Sequence, residues 1–214
     1  EDIVKKLNAQ FPDDPKWAVR LSDIYLLKGN AKDALEMIEA VIANRPNINL
    51  RAHLLAAEAA RRSKNIKKSV EILERAHAMH PANRVVLNNL IYSLSFDRKT
   101  IPRAMELLPK LSDLWGDSFV AYDTAATVYR NADDEEKSVE YLKKAMKSIK
   151  NVDPTWLERN PKAVDIDTYV GEYDYSLDEG ISGIQKNIRA LKRRDIYSTG
   201  ADLNKMLQRA ANEE

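Results

Sequence analysis

The sequence predicts an all-α fold of stacked helical hairpins, and three observations predict it. Glycine and proline number only 6 and 8 in 214 residues. That leaves few positions for the tight turns of a β sandwich or barrel, while Ala, Leu, Lys, Glu and Arg favour helix. Apolar positions recur every 34 or 35 residues, a period that marks helical-repeat architectures. Short polar segments fall midway through each period, as expected of turns joining antiparallel helices.

The period is read first from Pro12, Pro46 and Pro81, spaced by 34 and 35 residues. Each closes a helical stretch, because proline lacks an N–H and disfavours helix in the residue before it. In the second helix of each unit, Val4, Ile38, Leu73, Leu108 and Leu142 keep the same spacing. Leu7, Val41, Ala76, Leu111 and Ala145 follow three residues behind. A row of small residues, Ala34, Ser69, Ala104 and Ser138, marks where two helices approach closely.

The first helix of each unit carries Leu21, Ala56, Leu90 and Ala125, followed four residues later by Tyr25, Ala60, Leu94 and Tyr129. Spacing by four places each pair on one helical face. Between the two sets lie Lys28-Gly29-Asn30, Lys64-Asn65, Asp97-Arg98-Lys99 and Ala132-Asp133-Asp134, the third turn reading one residue longer. The expected organisation is a lone second helix over 1–11, then four hairpins over about 12–46, 47–81, 82–116 and 117–150. The opening segment predicts that the natural protein continues upstream, so the chain reads as a fragment of a larger, bacterial-looking protein.

After residue 150 the period fades. Residues 151–178 read as a connector, in which 165–179 hold six acids, Tyr169, Tyr173 and Tyr175, and no lysine or arginine. Ser176 and Glu179 form a capping box ahead of Ile181, Ile184, Ile188 and Leu191. Residues 179–214 are expected to form capping helices, the last carrying Leu203, Met206, Leu207 and Ala210.

These rows resemble the tetratricopeptide repeat (TPR) family. In the unit with the clearest match, Leu21, Tyr25, Gly29, Ala34, Ile38 and Pro46 stand where the family has a large apolar residue, an aromatic, glycine, alanine, an aliphatic and proline. The other units depart from it: Ala60 replaces the aromatic, and Gly116 and Lys150 replace the proline. The resemblance spans roughly residues 1–150. It implies an α-α superhelix, a TPR solenoid whose concave groove is lined by the first helix of each unit, and a role in binding proteins.

Composition excludes several other classes. A formal net charge of +1 gives no global field for nucleic acid or an anionic membrane. No apolar run approaches the roughly 20 residues that cross a bilayer. Absence of cysteine removes thiolate metal sites and cysteine nucleophiles, and fits a reducing cytoplasm or a periplasm alike. No phosphate loop, nucleophile elbow or metalloprotease motif is present. Glu74, His77 and His80 have helical spacing but fit a solvated helix end better than a metal site. No catalytic, cofactor or metal residue is therefore assigned, and the chain reads as a scaffold and not an enzyme.

The expected partner groove combines Arg51, Glu58, Arg61, Arg62, Asn88, Tyr92, Phe96, Asp123, Thr127 and Arg130, on first-helix faces not used by the apolar rows. Arginine binds carboxylates bidentately, asparagine bonds a peptide backbone, and aromatic rings take apolar side chains. The expected partner is a protein or peptide with acidic groups, and the acidic segment 165–179 is a complementary candidate to lie against this groove. The family's clamp for C-terminal carboxylates is not reproduced. An RNA-binding helical-repeat module is the alternative, weakened by the balance of 34 basic against 33 acidic residues. Self-association through an exposed hairpin face is a third reading.

Overall fold

The computed structural model describes residues 1–46 and 48–150; the connector expected over 151–178, segment 165–179 and the capping helices expected over 179–214 lie outside the described residues. Within the described residues the regular structure is helical: α1 (Asp2–Gln10), α2 (Pro15–Leu27), α3 (Ala31–Asn44), α4 (Leu50–Arg62), α5 (Ile66–Met79), α6 (Arg84–Leu94), α7 (Ile101–Trp115), α8 (Phe119–Asn131) and α9 (Glu135–Lys150). The helices group into two compact units, Glu1–Ser93 and Leu94–Glu214.

Each first helix starts at a polar cap that recurs with the period. Asp14, Asn49, Asn83 and Ser118 accept hydrogen bonds from the backbone N–H groups of Lys16, Ala52, Val85 with Val86, and Val120. These caps satisfy donors that the first turn of a helix leaves unpaired.

Three of the four hairpin turns share one construction. Gly29 donates to the Leu26 carbonyl while Asn30 donates to that of Tyr25. Lys64 and Asn65 repeat the pattern on Arg61 and Ala60, and Asp133 and Asp134 repeat it on Arg130 and Tyr129. This is the Schellman arrangement, which requires a left-handed residue after the helix. Gly29, Lys64 and Asp133 occupy that position with φ of 84°, 66° and 64°. The next residue then starts the second helix, and the Asn65 and Asp134 side chains cap it through the N–H groups of Lys68 and Lys137.

A side chain in the left-handed region costs on the order of 1 kcal/mol, which glycine avoids. Lys64→Gly is therefore expected to stabilise the protein by about 1 kcal/mol in urea unfolding. Asp133→Gly gains less, because Asp133 Oδ2 is held 2.7 Å from Arg98 Nη2. The α6–α7 turn is built differently. The α6 helix stops at Leu94, and Thr100 Oγ1 donates to the Leu94 carbonyl at 2.6 Å, closing a longer loop.

The core of the first unit is built from the periodic rows, with Leu21, Ile38, Ala56, Leu73 and Leu90 all buried. In the second unit Leu108, Leu111, Ala125 and Leu142 do the same. The small-residue row, Ala34, Ser69, Ala104 and Ser138, is fully buried. Its serines touch the facing helix directly: Ser69 Oγ lies 3.1 Å from Ser93 Oγ, and Ser138 Oγ donates to the Ala126 carbonyl at 2.9 Å. Tyr129 stacks on Tyr141 with ring centroids 5.3 Å apart, so this aromatic serves α8–α9 packing.

Candidate functional site

In the first unit, α2, α4 and α6 present a face laced by arginines. Arg51 on α4 pairs with Asp23 on α2. Burial pushes the Asp23 carboxyl above its ordinary range, more than pairing with Arg51 brings it down. Two α4 turns further on, Glu58 takes three hydrogen bonds. Arg61 donates through Nε at 2.8 Å and Nη2 at 2.6 Å, and Arg62 through Nε at 2.6 Å.

Each of these arginines also reaches a neighbouring helix. The Arg61 guanidinium lies over the Tyr92 ring of α6, 5.4 Å from its centroid. Arg62 Nη1 donates to the Leu26 carbonyl near the α2 C-terminus at 3.3 Å. Beside that carbonyl stands Leu27, 76% exposed and on the same face of α2 as Asp23. Two guanidinium groups, a tyrosine ring and an exposed leucine thus border one surface.

The remaining expected residues fall differently. Asn88 is 2% exposed and belongs to the interior of the first unit. The other four lie in the second unit. Phe96 is exposed just after α6, and Asp123 is half-buried on α8. Thr127 is 2% exposed, its hydroxyl donating to the Asp123 carbonyl at 3.0 Å. Arg130 is also buried, with Nη2 3.3 Å from Asn131 Oδ1. The residues brought together in the first unit are therefore Arg51, Glu58, Arg61, Arg62 and Tyr92, with Asp23 and Leu27 joining them.

His53, on α4 in the first unit, is 4% exposed, and neither ring nitrogen meets hydrogen-bond geometry with a partner among the described residues. Burial pushes its pKa below the usual imidazole value, outweighing the opposite pull of the nearby Pro46 carbonyl, and the positive charges of Arg75 and His80 add smaller contributions in the same direction as burial. The folded state thus favours neutral imidazole. As pH falls through the unfolded value of about 6.5, the unfolded chain takes up the proton first and stability is lost. Wild type is expected to melt at lower temperature at pH 5 than at pH 7.5. His53→Leu should reduce that difference, measured by circular dichroism melts at both pH values.

Among the described residues no group of three or more His, Asp or Glu side chains is arranged to hold a metal ion. No described helix is long and apolar enough to cross a membrane.

The tetratricopeptide-repeat family model matches residues 120–151. Among the described residues the matched segment corresponds to α8 and α9, and the turn pattern of that hairpin recurs at α2–α3 and α4–α5. A solved structure described as MamA 41-end from Desulfovibrio magneticus RS-1 matches with a TM-score of 0.61 at 19% identity, over 70% of this chain and 84% of that one. A crystal structure of MamA protein matches with a TM-score of 0.57 at 17% identity, over 80% and 85%. At these identities the likeness shows the fold, a TPR-type helical repeat. No curated protein sequence matches the chain.

Proposed function

We propose that this chain is a protein-interaction scaffold whose α2, α4 and α6 face, in the unit Glu1–Ser93, binds a protein partner through an acidic group. The observation that supports it most is the side-by-side placement of Arg61 and Arg62, with side chains 26% and 49% exposed. Two planar donor forks next to an aromatic ring suit a carboxylate, and arginine and tyrosine are enriched where interfaces concentrate their energy. Leu27 offers an apolar anchor beside them.

An affinity capture from the source organism's lysate, comparing wild type with Arg61→Ala/Arg62→Ala/Tyr92→Ala, tests the reading. The expected result is a protein lost from the variant, whose affinity for purified wild type exceeds that for the variant by roughly thirtyfold or more. Equal affinity for both proteins would place binding away from this face. Recovery of RNA by wild type alone would favour the helical-repeat RNA reading. A mass that rises with concentration for wild type and not for the variant would assign the face to self-association.

A further inference from the structure

The row of polar caps that starts the first helices has one more member in the sequence. Asp14, Asn49, Asn83 and Ser118 stand 35, 34 and 35 residues apart, and Asp153 follows 35 residues later. Asp153-Pro154-Thr155-Trp156 also repeats Asp14-Pro15-Lys16-Trp17 at all but one position. In that first copy Asp14 accepts from the Lys16 N–H at 3.0 Å. Pro15 holds the first helical position, where its missing N–H costs nothing.

The same register puts Trp156 on the row of Ala52, Val86 and Ala121, and Leu157 on the row of His53 and Leu87. All five of those earlier side chains are buried. The helix that carries Ala52 and His53, α4, packs against both helices of the hairpin before it, α2 and α3. For residues 153–160 the hairpin before is α8–α9.

We propose that the α8–α9 hairpin is a docking face for residues 153–160 of the same chain, which form a fifth first helix and close the array with half a repeat. The expected connector thus opens with a docked segment, and the proposal stands apart from the α2, α4 and α6 face. Among the described helices α9 packs chiefly against α8, whereas its counterpart α3 lies between α2 and α4. The hairpin carries aromatic surface for a tryptophan. Half-buried Tyr141 stacks on Tyr129 and lies 6.2 Å from Tyr122, so three rings run across α8 and α9. Tyr141 continues the row of Ile72 and Leu107, both buried.

The chain leaves α9 beside this surface. Ser148 Oγ donates to the Asp117 carbonyl at 2.7 Å, and the Tyr122 hydroxyl donates to the Asp117 side chain. The six residues from Lys150 to Trp156 span up to about 20 Å, enough to reach Tyr122 and Tyr141. Pro161 ends the segment, because a proline disfavours helix in the residue before it. A helix this short is unstable alone in water, so it forms only when docked.

The test reads Trp156 alone, in the full chain carrying Trp17→Phe and Trp115→Phe. Acrylamide is expected to quench Trp156 about threefold more slowly than free tryptophan, as for a segment held against the fold. Adding Tyr122→Ala/Tyr141→Ala is expected to raise the quenching constant about threefold, with circular dichroism confirming that the chain stays helical. Asp153→Ala leaves α8 and α9 untouched and is expected to raise it about twofold by removing the cap. Should the double variant lose helicity, Asp153→Ala decides.

Quenching of Trp156 as fast as free tryptophan in the starting chain would overturn the proposal. Shielding retained in the folded tyrosine variant would overturn docking on α8–α9. Shielding retained in Asp153→Ala would overturn the capped fifth helix.

Discussion

Replacing Leu73 by alanine is expected to cost about 2–5 kcal/mol of folding stability. Leu73 is 1% exposed in α5 and belongs to the periodic row that includes Ile38 in the same unit. Truncation removes apolar area from the core and leaves a cavity that rigid helices fill only partly. Urea unfolding followed at 222 nm would read the loss as a lower midpoint. Ile3→Ala is the matched control, since Ile3 is 74% exposed and a change there should stay within about 0.5 kcal/mol. Equal costs at the two positions would mean that the 34/35-residue row does not mark the core.

Ser138→Leu is expected to destabilise the second unit by about 2–4 kcal/mol. Ser138 has no exposed surface, and its hydroxyl donates to the backbone of α8 at Ala126, so α9 and α8 touch at this point. A leucine would have to push the helices apart or adopt a strained rotamer, at about 1–3 kcal/mol. The lost hydrogen bond adds about 1 kcal/mol. Ser138→Ala loses only the bond and should cost about 1 kcal/mol. A leucine tolerated as well as alanine would contradict the close approach of α8 and α9.

The fold was legible because one physical rule repeats: a helix can bury only one face, and here the buried positions return every 34 or 35 residues. Ile38, Leu73, Leu108 and Leu142 show it, and the fully buried Ala34, Ser69, Ala104 and Ser138 show where backbones meet. The first-helix caps at Asp14, Asn49, Asn83 and Ser118 carry the same period, but single polar residues stand out less than an apolar row. The left-handed turn residue is evident at Gly29, where glycine announces it. At Lys64 and Asp133 the backbone requirement is the same and the side chain hides it.

The candidate face was less legible. Helical spacing alone places Glu58 within reach of Arg61 and Arg62, yet it does not say that one carboxylate holds both. The Asp23–Arg51 pair joins residues 28 positions apart, and only the packing of α2 beside α4 brings them together. Asn88 and Thr127 share the polar character of the exposed residues, but both are buried in their units. Polarity marks a candidate contact, whereas burial decides whether a partner can touch it.

The most direct test of the binding face is a photo-crosslink from a defined position. A benzophenone amino acid replacing Leu27, at the exposed edge of the α2, α4 and α6 face, would be irradiated in the full chain with the source lysate. The same probe replacing Glu36 on the exposed side of α3 would serve for comparison. The account predicts a protein adduct from position 27 that acidic peptide suppresses, and none from position 36. An adduct from position 36 with none from position 27 would contradict it.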